Sequence, residues 1–360
     1  MAEPLKNLYT RELLEQLGNL LQKQYKAFDK KAFFKTVFDK EWPNRELKQR
    51  MRHITKCIHQ FLPMPYAQQI GILTPIAHHF NGFVAILFPD FVEVYGIEYP
   101  DISIPALEHL TQYSSSEFAV RPFIIRYEKR MVKQHLQWAK SKNHHVRRLA
   151  SEGIRPRLPW AMALPVFKKN PSAILPILEL LKADESEYVR RSVANCLNDI
   201  SKDHPDIVLT IVKHWKGISP QTDWIVKHAS RGLLKQGHTA ALSAFGLNHK
   251  VKVEATNFAI SKTNLPIGGK FEYSFSIKLN EKKTHDVRLE YKIYYQKANG
   301  KQNPKVFQIG TYSLKPRQTL TINRSHAFAD LTTRKHHKGD HRIVVVVNGK
   351  ETAELPFILH

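Results

Sequence analysis

Helical spacing that recurs along roughly the first two thirds of the chain, then period-two alternation to its end, predicts a mainly α solenoid of paired helices followed by a small all-β sandwich. The first observation behind this is a repeat. The segment from Asn143 to Trp160, NHHVRRLASEGIRPRLPW, returns 43 residues later as EYVRRSVANCLNDI, from Glu187 to Ile200, and a looser third copy follows at a spacing of 36. In the second copy Val189, Val193, Cys196, Leu197 and Ile200 share one face, with Arg191, Asn195, Asn198 and Asp199 opposite. The first copy sets Val146, Ala150, Gly153 and Ile154 against a polar stripe of Arg148, Glu152 and Arg155. The third sets Ile225, Ala229 and Leu233 against Lys227, Arg231 and Lys235. Helices repeated at about 35 to 45 residues mark a HEAT-like solenoid of paired-helix repeats, whose inner helices line one concave surface.

The second observation is a change of texture near Gly246, which divides the chain into residues 1–246 and 247–360. Beyond it VKVEATNFAI, KFEYSFSIKL, VRLEYKIYYQK, KVFQIGTYSL, QTLTINRSHAF, HRIVVVVNGK and ELPFIL read as seven short strands, with Asn-Gly turns in KANGKQN and VNGK. This count and length fit an immunoglobulin-like β-sandwich without a disulfide, since the segment holds no cysteine. The third observation is composition: 360 residues, 42% of them hydrophobic, supply cores for two domains.

In chain order, Thr10 is expected to cap a first helix carrying Leu13, Leu14, Leu17, Leu20 and Leu21. A short helix then presents Phe33, Phe34, Val37 and Phe38, and an amphipathic stretch runs from Arg45 to Phe61. FNGFVAILFPDFVEVYGIEYPDISI, from Phe80 to Ile104, is apolar but broken by Pro89, Gly96 and Pro100, so it reads as short buried helices and connectors. Ser114 to Glu117 has the S-x-x-E pattern of a capping box, which taken alone makes Glu117 a helix cap. A basic helix from Glu128 to Lys140 leads into the repeat. Trp160, after Pro159, reads either as core or as an aromatic wall facing a sugar or base. KKNPSAILPILELLKADES supplies an outer helix.

Fifty-five Lys plus Arg against 32 Asp plus Glu leave a formal charge of +23, which points to a polyanionic partner, nucleic acid before membrane. From Lys250 onward 20 Lys plus Arg face nine Asp plus Glu, a surplus of 11, so the sandwich shares the basic character. No run approaches the roughly 20 apolar residues of a spanning helix. No secretory signal is read at the start, and the two cysteines, Cys57 and Cys196, show no zinc spacing, so a cytoplasmic setting without metal is expected. The histidine pairs 78–79, 144–145 and 336–337 are not expected to chelate, because adjacent helical residues point about 100° apart.

With SSSEFAVRPFI, HHVRRLASEGIRPRLPWA, VRRSVANCLNDISKDHPD, YYQKANGKQNPKVF and HRIVVVVNG in view, the chain resembles, over most of its length, the AlkC-type branch of bacterial DNA alkylation-repair glycosylases. The resemblance implies a HEAT-like repeat enzyme that grips damaged double-stranded DNA and hydrolyses the N-glycosidic bond of cationic alkylated bases such as 3-methyladenine and 3-methylcytosine. It also implies action without base flipping, with the immunoglobulin-like domain holding the duplex from the other side. No cofactor is implied, and a monomer is expected.

By match to the family's motifs, Glu117 in SSSEF, Glu152 in LASEG and Asp199 in CLNDIS are the catalytic carboxylates to consider, with Glu117 first and Asp199 second. Glu152 is the residue that would orient Arg148 one turn away. Trp160 in RPRLPW matches an aromatic that lies against the lesion nucleotide. Arg148, Arg155 and Arg191 would pin phosphates, and Lys227, Arg231 and Lys235, with Arg334 and Lys335 of the sandwich, would extend that track. A non-catalytic DNA-binding or assembly protein on the same solenoid is the competing reading.

Overall fold

In a computed structural model, residues 3–330 and 335–360 are described. Sixteen α-helices precede eight strands among them. The helices are α1 (Arg11–Gln24), α2 (Lys30–Val37), α3 (Leu47–Phe61), α4 (Tyr66–Ile76), α5 (Leu87–Tyr95), α6 (Pro100–Leu110), α7 (Val120–Arg126) and α8 (Glu128–Trp138). They continue as α9 (His144–Glu152), α10 (Pro165–Lys169), α11 (Leu175–Leu180), α12 (Glu187–Ile200), α13 (Pro205–Trp215), α14 (Pro220–Ala229), α15 (Arg231–Lys235) and α16 (Thr239–Ala244). None of them is long and apolar enough to cross a membrane.

The chain condenses into two compact units. One comprises Met1–Asp203 with Trp215–Ala229, and the other His204–His214 with Ser230–His360. In the first, side-chain caps set helix starts: the Thr10 hydroxyl accepts from the Leu13 N–H at 3.2 Å, and Asp29 accepts from the Ala32 N–H at 2.9 Å. Leu14, Leu17 and Leu21 then turn the apolar stripe of α1 inward. The Phe80–Ile104 stretch resolves into a 3-10 turn at Gly82–Ile86, α5 and the first half of α6. At Gly96, the end of α5, a Cβ would stand 2.2 Å from the Tyr66 hydroxyl, so only glycine fits the approach.

The repeat is real in space: α12 packs between α9 and α14, and the Ser151 and Ser192 hydroxyls bond at 2.7 Å where α9 meets α12. Two expectations are corrected. The third copy is not one helix, because the chain breaks at Ser230 between α14 and α15. The S-x-x-E pattern at Ser114–Glu117 caps nothing, since α7 begins only at Val120. There the Ser114 hydroxyl donates to the Gly82 carbonyl at 2.8 Å and the Ser115 hydroxyl to the Glu117 carboxylate at 2.6 Å. Serines so occupied hold a turn rather than a helix start.

In the second unit, strands β1 (Val253–Ile260), β2 (Asn264–Leu265), β3 (Lys270–Leu279), β4 (His285–Gln296), β5 (Gln302–Leu314), β6 (Thr319–Ala327), β7 (Gly339–Val347) and β8 (Lys350–Leu359) form two sheets. Their orders are β1-β3-β6 and β2-β8-β7-β4-β5, an immunoglobulin-like arrangement around Phe271, Phe275, Ile277, Leu289, Ile293, Ile343, Val345 and Phe357. The seven expected strands are present. The eighth, β2, pairs over only two residues, parallel to β8, too short for any alternation to reveal.

Asn348 and Gly349, at φ 46° and 79°, close the β7–β8 hairpin as a two-residue turn with both central residues left-handed. The change from helix to strand falls between Ala244 and Val253, yet α15 and α16 belong to the sandwich's unit. Leu233, Leu234, Ala241, Leu242 and Leu247 form their own small core, and Gly237 lies so close to Gly349 that a Cβ on it would sit 3.0 Å from the Gly349 carbonyl oxygen.

Candidate active site

The first repeat copy carries a chain of alternating charges. Glu117, in the turn before α7, is bound by the Arg148 guanidinium of α9, which also donates to the Ser115 hydroxyl at 2.9 Å. Arg148 reaches Glu152 at 3.5 Å one helical turn on. Glu152 in turn accepts from Arg155 at 2.6 Å, Arg155 donates to Asp199 of α12 at 2.9 Å, and Asp199 is met by Lys202 at 3.2 Å. Periodicity placed Glu152, Arg155, Asn198 and Asp199 on an open face; the structure buries all four. The reason is mutual: each charge carries an opposite partner, which is what allows carboxylates and guanidinium to leave water.

Electrostatics follow from this order. Burial opposes the charge on Arg155, but Glu152 and Asp199 more than compensate, and its pKa is raised. The same balance raises Arg148, where Glu117 and Glu152 outweigh burial. Arg121 of α7, which faces backbone carbonyls rather than carboxylates, is pulled down to about 10 by burial.

The carboxylates are not equally placed. Glu117 and Arg148 line an open cleft of about 360 Å³ together with Ser115, His145, Tyr188 and Phe83. Phe83 and Tyr188 are exposed, and Arg148 lies 4.6 Å from the centre of the Tyr188 ring. Asp199, 1% exposed, is reached from Glu117 only along the ion-pair chain. A larger hollow, about 650 Å³, lies on the sandwich among Ser261, Glu272, Tyr273, Asn323 and Arg324, with a single carboxylate in its lining and no such chain of charges.

Trp160 is not core: 63% of it is exposed. It sits in the strap 156–164, which is closed by the Leu164 N–H donating to the Pro156 carbonyl at 3.1 Å. Its φ of +63° is a left-handed value that a bulky residue adopts only when its surroundings impose it.

The predicted cations divide. Arg191 is exposed and, among the described residues, bound to Glu187 of its own helix, and Lys227 and Lys235 are exposed, while Arg231 is half-buried. Lys335 is exposed; Arg334 lies outside the described residues. Arg155, expected at a phosphate, is buried and bridges Glu152 and Asp199 through its Nη1 and Nε. Among the described residues no His, Cys, Asp and Glu group is arranged to hold a metal ion. The rings of the pairs 78–79 and 144–145, expected to diverge, lie 3.9 and 4.1 Å apart.

Sequence reasoning missed Lys48, Arg121, Ser115 and Tyr188. Arg121 binds the Gly153, Arg155 and Met162 carbonyls at 3.0, 3.0 and 2.6 Å, and Lys48 binds the Trp160 carbonyl at 2.8 Å. No spacing in the chain announces such contacts. Tyr188 had a signal, an aromatic one turn before Arg191 in the repeat.

Known proteins resemble this arrangement in both parts. Residues 111–233 match the family described as "DNA alkylation repair enzyme", and residues 254–360 match the "C-terminal Ig-like domain" of the uncharacterised protein YhaZ. A Bacillus subtilis (strain 168) protein, "Uncharacterized protein YhaZ", is 45% identical over 353 residues, 98% of each chain. The solved structure of Pseudomonas fluorescens alkylpurine DNA glycosylase AlkC, bound to DNA containing an abasic site analog, superposes with a TM-score of 0.95. It is 36% identical, covering 99% of this chain and 100% of that one.

Proposed function

This chain belongs to the AlkC-type DNA alkylation-repair glycosylases, and we propose that it hydrolyses the N-glycosidic bond of cationic alkylated bases, 3-methyladenine and 3-methylcytosine, in damaged duplex DNA. It acts as a monomeric, monofunctional cytoplasmic enzyme that does not flip the base and needs no metal. The observation that carries this reading is a carboxylate, Glu117, held at the wall of an open cleft by Arg148 and Ser115.

A methylated cationic base leaves as a neutral molecule, so the electron pair of the breaking C1′–N bond cancels its charge and no strong general acid is required. Positive charge then accumulates on the deoxyribose. Glu117 faces that charge and accepts a hydrogen bond from the water whose oxygen bonds to C1′; the water's proton passes to the carboxylate and on to solvent. Asp199 and Glu152 set the orientation of Arg155 and Arg148, and through them that of Glu117. Trp160 offers an exposed π face to the cationic nucleotide. Arg191, Lys227, Arg231 and Lys235 supply phosphate contacts, joined by Arg334 and Lys335 of the tail. Residues 1–246 form the glycosylase domain and 247–360 the immunoglobulin-like domain that adds a second hold on the duplex.

The test is release of 3-methyladenine from N-methylated duplex DNA. Glu117→Gln is expected to slow release by about 10²- to 10³-fold and Asp199→Asn by a smaller factor, with duplex affinity kept or improved as a negative charge is removed. Wild-type protein that binds the duplex but releases no base would instead establish a non-catalytic DNA-binding module.

A further inference from the structure

Lys48 lies on the exposed side of α3, 112 residues before Trp160, and yet its ammonium donates to the Trp160 carbonyl oxygen at 2.8 Å. The same nitrogen stands 4.8 Å from the centre of the Phe118 ring, next in sequence to Glu117. Lys48 and Phe118 also line one narrow hollow with Ser115, the residue that holds Glu117. One side chain therefore touches both the aromatic strap and the turn that carries the acid.

The strap needs such a tie. Its inner limb is anchored by Arg121 through the Met162 carbonyl, and its ends by the Leu164-to-Pro156 bond. Trp160 lies between these anchors, left-handed and with its indole in solvent. A conformation this sparsely populated persists only where neighbours over-determine it. Of the contacts at that peptide, the charged one from Lys48 is the one that comes from a distant helix.

We propose that Lys48 is a positioning residue: it fixes the Trp160 peptide in its left-handed conformation and holds the indole in register with Glu117 while the sugar cation forms. This rests on the reading that Trp160 lies against the lesion nucleotide. A lysine that merely met a phosphate would act on affinity instead, since a phosphate contact strengthens ground state and transition state alike.

The experiment compares Lys48→Met, Lys48→Arg, Trp160→Ala and the Lys48→Met/Trp160→Ala double variant in the full chain. It measures single-turnover release of 3-methyladenine and the Kd for a duplex carrying a tetrahydrofuran abasic-site analogue. Positioning predicts that Lys48→Met slows release about tenfold with Kd within about twofold of wild type. Lys48→Arg restores most of the rate, because a guanidinium can donate to the same carbonyl, and the double variant is no slower than Trp160→Ala alone. The Trp160 emission, isolated by difference from Trp160→Phe, should shift in Lys48→Met. A Lys48→Met protein that releases base at the wild-type rate overturns the proposal, as does one that loses affinity at an unchanged rate. Full activity of Trp160→Ala overturns the reading beneath it and this proposal together, whereas a slow Trp160→Ala beside a fast Lys48→Met overturns this proposal alone.

Discussion

Arg148 and Arg191 occupy the same place in successive copies of one helical repeat, 43 residues apart, and live in different worlds. The Arg148 side chain is 14% exposed, bound to Glu117 and Glu152 and laid over Tyr188; that of Arg191 is 61% exposed and pairs with Glu187 on its own helix. Further along the contrast widens: Glu152 and Arg155 of the first copy are members of the ion-pair chain, where the second copy has Asn195 and Asn198. What separates the copies is not the helix but what precedes it in space. The turn 114–118 lays an acid beside α9 and builds a cleft there, and a repeat supplies only the frame on which such a turn can act.

The comparison can be broken most forcefully at Arg155. Arg155→Met leaves Glu152 and Asp199 buried without the cation between them, and is expected to cost roughly 3 kcal/mol in urea unfolding, with Arg148 and Lys202 limiting the loss. A change below about 1 kcal/mol would mean the chain of charges is not a unit.

Acid should act on the first copy through His135. This residue of α8 is wholly buried under Gly153, donates from Nδ1 to the Met131 carbonyl at 2.7 Å, and has its pKa pushed down to about 4 by burial. The folded state therefore refuses a proton that the unfolded chain binds near pH 6.5. Stability is unaffected above that pH and is lost as pH falls from about 6.5 toward 4, by about 3 kcal/mol at most. Urea midpoints of His135→Leu should lose this slope; a variant with the wild-type slope would place the acid sensitivity elsewhere.

The smallest effect is expected at the second copy. Arg191→Ala should change stability by no more than about 0.5 kcal/mol, and weaken duplex binding with a shallower salt dependence. A large loss of stability would erase the distinction between the two copies.

Much of the fold was legible because burial repeats. Val146, Ala150 and Ile154 in one copy, and Val189, Val193 and Leu197 in the next, are buried as their spacing requires. The strand alternation of KFEYSFSIKL likewise puts Phe271, Tyr273, Phe275 and Ile277 into the sandwich core. The site was legible only in its residue types. A polar residue opposite an apolar stripe reads as exposed, and that inference failed for Glu152, Arg155 and Asp199, since pairing substitutes for water and no periodicity records a partner 44 residues away.

The sequence by itself determined the two textures, the helical repeat and the basic balance, because each is a property of neighbours along the chain. Only the tertiary structure decided that Glu117 opens on a cleft while Asp199 is enclosed, that Trp160 faces outward, and that Lys48 reaches its carbonyl. Those facts depend on which distant side chains meet, and that is set by the packing of helices rather than by the spacing within any one of them.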